Sequence, residues 1–316
     1  MNPAFSVVLL TTASGAGYGM LAWLGVLNAL RLLPASPWFG VIGIAVALAL
    51  STAGLLASTF HLGHPERAWR SISQWRSSWL SREGVLALLT YVPALGFAAA
   101  WWFAGAASAA SVVLGLLAAV CGLATVACQA MIYATLKPIR QWHHRLVLPN
   151  LLLLALFSGA VWLAGEVALD GVAGGPLLVA LGVVFAIGAG AVKLAYWRDI
   201  DTAPAVASIE SATGLGALGT VRMLESPHTE ENYLLREMGY AIARKHASRL
   251  RAISLAVGFV APVVLMLVGI VVAAAEPVLL PLAALAAILG IYVERWLFFA
   301  QATHTVTLYY GRRDGP

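Results

Sequence analysis

The sequence predicts an all-α integral membrane protein with eight transmembrane helices, and three observations predict it. Hydrophobic residues make up 61% of the chain and charged residues only 10%, against roughly 25% charged in a soluble domain. A water-soluble fold of this length has nowhere to hide that much apolar surface. Eight segments reach the about 20 mostly apolar residues that cross a bilayer. Finally, 17 of the 19 lysines and arginines fall at the ends of the chain or in alternate connections, a pattern that fits eight crossings. No β-barrel alternation is visible.

The first segment, near 6–33, follows an N-terminus without a basic leader, a twin-arginine pair or a cleavage site, and reads as a retained helix. Its glycines (Gly15, Gly17, Gly19, Gly25) permit close backbone approach and place it inside the bundle. The second, 38–61, follows the short link LPASP. A polar connection with Arg67, Arg70, Arg76 and Arg82 leads to the third, 83–104. The fourth, 108–136, contains Cys121 and Cys128, which form no CxxC and read as small packing side chains. Lys137, Arg140 and Arg145 precede the fifth, 149–169, whose outer end carries Glu166 and Asp170, read as solvated edge residues. The sixth is 175–196. After it, with its helix edge, come Lys193, Arg198, Arg222, Arg236, Arg244, Lys245, Arg249 and Arg251. The seventh, 253–275, and eighth, 278–304, are joined by AAEP, and the tail carries Arg312 and Arg313. The expected grouping is two four-helix bundles: helices 1–4 within 1–136, and helices 5–8 within 149–310, the latter with an insertion at 197–252.

Arg31 alone marks the opposite face, and Arg295 lies within the eighth span. The positive-inside rule therefore puts both termini and the even-numbered connections in the cytoplasm of a bacterial inner membrane. The formal charge of +5 reflects this face, not nucleic-acid binding. Within 197–252, Leu234, Leu235, Met238, Ala241, Ile242 and Leu250 recur at helical spacing among charges, with a helix start near Pro227–Thr229–Glu230. Such an amphipathic helix lies on lipid headgroups or binds a partner protein.

Chemistry-bearing residues concentrate at Thr59–Glu83, where His61, His64, four arginines, Glu66, Glu83, Trp69, Trp75 and Trp79 flank the membrane boundary. One reading is an interfacial belt of arginine and tryptophan. The other is a quinone headgroup pocket: an aromatic slot for the ring, donors for two carbonyl oxygens, and His61 and Glu83 for proton transfer, with an arginine orienting Glu83. Glu294 and Arg295 lie deep in the eighth span, where charges face the bundle interior. As sequence neighbours they project about 100° apart on the helix, so each is expected to find a partner on another helix instead of facing the other. An ion pair and a proton route or quinone-site role both remain open. His304 follows toward the cytoplasmic side, level with His61. Their spacing does not exclude a b-type haem between them, but membrane cytochromes b need histidine pairs facing each other inside the bundle and the other histidines (His64, His143, His144, His228, His246) lie in connections, so the chain is expected to carry no haem. The two cysteines give no iron–sulfur centre.

His61–Leu62–Gly63–x–Pro65–x–Arg67–Ala68, then Ser81–x–Glu83, then Glu294–Arg295–x–x–Phe298 and His304, over eight spans, resemble the dimethyl sulfoxide reductase anchor family and, more broadly, the polysulfide-reductase-type membrane subunits. The resemblance implies an anchor that is not itself the catalytic subunit. It holds an iron–sulfur subunit with four 4Fe-4S clusters and a molybdopterin catalytic subunit at the membrane, and binds ubiquinone or menaquinone. His61 and Glu83 match the family's quinol-reactive positions. Arg67, Arg82, Trp79, Glu294, Arg295 and His304 complete the expected quinone and proton-transfer set. A cytoplasmic HLG face and a long 197–252 connection depart from the dimethyl sulfoxide reductase anchor. Both resemble the anchor of cytoplasmic sulfite:quinone oxidoreductases, which implies sulfite oxidation coupled to the quinone pool; the opposite direction, quinol reducing an S- or N-oxide, is the alternative.

Overall fold

A computed structural model describes residues 2–60, 62–171, 175–204, 207–225, 232 and 246–310. Eight helices are long and apolar enough to cross a membrane: α1 Phe5–Ala29, α2 Pro37–Thr59, α3 Trp79–Ala104, α4 Ala109–Ala134, α5 Val147–Asp170, α6 Gly175–Thr202, α7 Ala247–Val271 and α8 Ala273–Ala300. Helices suit hydrocarbon because every backbone N–H and C=O is satisfied within its own segment. Among the described residues there is no strand, only an isolated bridge between Ile139 and His304.

Local chemistry sets the helix ends. The hydroxyls of Ser36, Ser78 and Ser108 accept from backbone N–H groups three residues on, capping α2, α3 and α4. The Ser78 cap starts α3 one turn before the expected 83. Gly105 and Gly171 end α3 and α5 at φ 87° and 67°, which only glycine adopts without strain. Helix α6 runs past the expected 196 to Thr202, and α7 begins at Ala247, ahead of the expected 253. Lys193, expected at a helix edge, is therefore enclosed within α6, and the stretch between α6 and α7 is 203–246. The amphipathic pattern through Leu234, Leu235, Met238, Ala241 and Ile242, its Pro227–Glu230 start, and Arg312 and Arg313 lie outside the described residues, while Leu250 is in α7.

Helix α1 is the hub, as its glycines suggest. Its most apolar window is 83% buried, against 67% for α5 and 44% or less for the others. A Cβ on Gly19 would overlap the Ala155 carbonyl of α5, and one on Gly25 the Gly115 carbonyl of α4. One hydrophobic cluster takes residues from all eight helices, among them Met20, Ile44, Ala94, Ala118, Leu154, Leu178, Met266 and Leu280. A second cluster, rich in aromatics, gathers at the end nearer the basic connections: Tyr133, Trp142, Tyr196, Trp197, Phe298 and Phe299. There the Trp142 indole N–H donates to the Phe298 carbonyl at 3.0 Å. One turn of α1, Leu10–Ser14, is π-helical, inserting an extra residue beside the region described next.

Candidate functional site

The connection between α2 and α3 is pinned against the bundle by its own side chains. The Ser81 hydroxyl donates to the Ser71 carbonyl. Arg82 donates from Nε to the Trp75 carbonyl at 3.0 Å and from Nη2 to the Arg76 carbonyl at 2.7 Å, with its guanidinium 4.3 Å from the Trp79 ring centre. The 3-10 turn Pro65–Ile72 thereby lays Trp69 and Ile72 over the end of the bundle.

Beneath it is a cavity of about 650 Å³, within the range of small-molecule pockets. Pro3, Val7 and Leu10 form one wall, and Leu80, Ala87 and Leu88 another; Tyr133, Trp142 and Phe299 supply aromatic faces, and Leu62 and Trp69 border it on the connection side. Leu80 and Leu88 are also exposed on the outside of the bundle. Glu83 is the sole carboxylate among the described residues lining the cavity. It is 5% exposed, and Oε1 accepts a 2.9 Å bond from Gln129 Nε2, which also lies 3.4 Å from the Ser14 hydroxyl. An apolar, aromatic slot with one buried carboxyl can bind a planar ring and exchange a proton with it.

The other expected site residues go elsewhere. His61 lies outside the described residues, although its neighbour Leu62 lines the cavity. Arg67 is exposed and pairs with exposed Glu66 at 3.6 Å. Arg82 and Trp79 staple the connection and do not line the cavity. His304 sits beyond α8, where Nδ1 accepts from the Val306 N–H at 3.0 Å, and burial holds its pKa below the usual imidazole value.

Glu294 and Arg295 form a separate buried cluster and, contrary to expectation, they do face each other. Arg295 donates from Nε and Nη2 to the two Glu294 oxygens. Its long stem and planar fork let the guanidinium fold back across the roughly 100° between neighbouring positions. Partners on other helices are present as well. Lys193 of α6 pairs with Glu294, and Asn150 of α5 accepts from Arg295 Nη2 at 2.9 Å. The Lys193 ammonium lies 4.4 Å from the Tyr196 ring centre and the Arg295 guanidinium 4.8 Å from that of Phe298, contacts favourable to a desolvated cation.

Glu166 is another correction. Both its carboxyl oxygens are buried without a hydrogen-bond partner, whereas Asp170 is exposed. The cause is Gly43 of α2: without a side chain there, the Glu166 carboxyl fills the gap between the helices. Sequence reading passed over Gln129, Asn150 and the cluster role of Lys193. Their signal was present, since each is polar inside an otherwise apolar segment. It passed over Tyr133, Trp142 and Phe299 because aromatic residues in a membrane chain are ordinary packing until a cavity opens beside them. Among the described residues no group of three or more His, Cys, Asp or Glu could hold a metal ion.

The model of the DMSO reductase anchor subunit (DmsC) family matches residues 7–311. A relative, one of the subunits of the sulfite dehydrogenase of Allochromatium vinosum, is 35% identical over 98% of this chain and 99% of its own length. No solved structure matches the chain. The eight spans, the HLG-x-P-x-RA connection and a match over nearly the whole length agree: the chain belongs to the DMSO reductase anchor subunit family.

Proposed function

We propose that this anchor binds quinone and passes to it the electrons of a sulfite-oxidising complex. The observation that carries the proposal is the 650 Å³ apolar cavity at the membrane boundary with Glu83 buried in its wall. The exposed Leu80 and Leu88 side gives an isoprenoid tail a way out to lipid, and Tyr133, Trp142 and Phe299 offer faces for the ring. Sulfite, water and quinone give sulfate and quinol: two electrons and two protons leave the sulfur half-reaction and enter the quinone. The partners are an iron–sulfur subunit with four 4Fe-4S clusters and a molybdopterin catalytic subunit. They supply the electrons and dock on the basic, cytoplasmic face of the inner membrane, next to the cavity. Glu83 donates a proton to one quinone oxygen. His61, one residue before Leu62 in the cavity border, is the second proton-transfer group. The 35% identity to a sulfite dehydrogenase subunit supports sulfite as the source of electrons.

The test uses the purified complex and two assays on the same sample. Glu83→Gln keeps the complex assembled and keeps sulfite oxidation with an artificial acceptor at the wild-type rate. Turnover with quinone falls about tenfold or more, corresponding to roughly 1.4 kcal/mol at the transition state. His61→Ala behaves likewise. Unchanged quinone turnover in both variants removes the site from this cavity. Loss of both activities assigns the region to holding the iron–sulfur subunit instead.

A further inference from the structure

Deeper in the bundle, at the π-helical turn of α1, lies a second cavity of about 10 Å³. Thr12, Gly15, Gln129, Ser158 and Arg295 are among its wall residues, all of which are buried. Its size matches one water molecule, which when buried makes about three hydrogen bonds. The wall offers that complement. Arg295, 2% exposed, has Nη1 without any hydrogen-bond partner, a donor left over after Nε and Nη2 are used on Glu294 and Asn150. Gln129 commits Nε2 to Glu83 and Ser14, and its carbonyl oxygen accepts from none of the described residues. The hydroxyls of Thr12 and Ser158 donate to the Val8 and Leu154 carbonyls, which leaves their oxygens free to accept.

We propose that this cavity is a water site, and that Gln129 and Arg295, joined through that water, are positioning residues for Glu83; the proposal deepens, and rests on, the quinone reading above. The water accepts from Arg295 Nη1 and donates to the Gln129 carbonyl and to Thr12 or Ser158. That bond fixes the Gln129 amide with its N–H₂ end toward Glu83. When Glu83 hands its proton to a quinone oxygen, it is left as a carboxylate in an apolar wall. The electrons come from the iron–sulfur partner, and the proton is replaced from solvent at the cavity mouth. The Gln129 N–H, polarised through the water by the buried guanidinium, holds that carboxylate until the proton returns. The other titratable or charged groups near Glu83 are Tyr18 on α1, Cys128 and Tyr133 on α4, and Arg82 beside it on α3. Only Arg82 is cationic, and its guanidinium is engaged with the Trp75 and Arg76 carbonyls. Gln129 is thus the donor that the site provides.

Gly15→Ala tests this without touching the quinone cavity. Gly15 forms part of the water-site wall, and an added Cβ has Ala155 Cβ at 4.0 Å as its nearest neighbour, so a methyl group fits where the water sits. In the whole complex we expect unchanged sulfite oxidation with an artificial acceptor and an unchanged KM for quinone. The kcat with quinone falls three- to tenfold, and its pH–rate profile moves by about half a unit or more toward alkaline pH. A profile superimposing on wild type overturns the water link. The quinone reading survives that result if Glu83→Gln is slow, and falls separately if Glu83→Gln keeps full quinone turnover. If Gly15→Ala does not assemble, an electron-microscopy map of the wild-type complex at a resolution that shows waters decides. Density bonded to Arg295 Nη1 and Gln129 Oε1 supports the proposal, and a dry cavity sinks it.

Discussion

Lys193, Glu294 and Arg295 place two cations against one carboxylate in side chains that are 1%, 0% and 2% exposed. Removing one member of a buried ion pair costs about 3–5 kcal/mol, because the partner is left charged and desolvated. Glu294→Gln strands two cations, whereas Lys193→Met leaves a balanced Glu294–Arg295 pair. We expect the first to lower the thermal midpoint of the detergent-solubilised complex by several degrees more than the second; equal losses would show that the cluster is not held by charge balance. His304 gives a pH signature. Burial depresses its pKa, so the unfolded chain takes up the proton first. Stability is full above about 6.5, the ordinary imidazole value, and is lost as pH falls toward the folded-state pKa. Protonation of Nδ1 also ends its acceptance from Val306. Thermal midpoints measured between pH 7.5 and 5.5 should drop in wild type and drop less in His304→Asn.

At the scale of helices, several of the tightest contacts run through α1, at Gly17, Gly19 and Gly25. Gly19→Val drives a side chain into the Ala155 backbone, and overpacking of this kind costs about 1–3 kcal/mol or more. Gly188 of α6 has only Leu153 Cδ2 nearby, at 3.8 Å. Membrane fractions should contain much less of the Gly19→Val chain than of Gly188→Ala; similar amounts of both would show that α1 is not the packing hub. This part of the fold was legible in the sequence, since hydropathy gives the spans and clustered glycine marks the most enclosed one. Helix ends were read less well. Apolar windows average over the Ser78 cap and over the polar last two turns of α6, so they trimmed α3 and α6 and misplaced Lys193. Of the site, Glu83 was legible as a carboxylate just inside an apolar run. Gln129 and the aromatic faces were not, because they meet Glu83 from α4, α8 and a connection more than forty residues away in sequence, and periodicity carries no information on which helices adjoin.

For the molecule as a whole, with Lys193 and Arg295 enclosed in α6 and α8, eight crossings are expected to leave 16 of the 19 basic residues on the face that carries both termini. A reporter fused after Pro316 is expected to be active only when it requires the cytoplasm. Periplasmic activity would invert the orientation, and with it the side from which electrons enter. The buried charge cluster has a further consequence, for the making of the protein. Lys193 leaves the ribosome with α6, but its counterion Glu294 follows about a hundred residues later, roughly five to twenty seconds at ordinary synthesis rates. A lysine at the centre of a spanning helix is unfavourable to membrane insertion by about 2.5–3.5 kcal/mol, and Lys193, nearer the C-terminal end of α6, carries a smaller share of that cost because its stem can reach toward the interface. Helix α8 has no such difficulty, because Glu294 and Arg295 neutralise each other within one segment. Nascent α6 is therefore expected to sit with Lys193 drawn toward the interface until α8 emerges, and depletion of insertase should strand chains halted between these two helices.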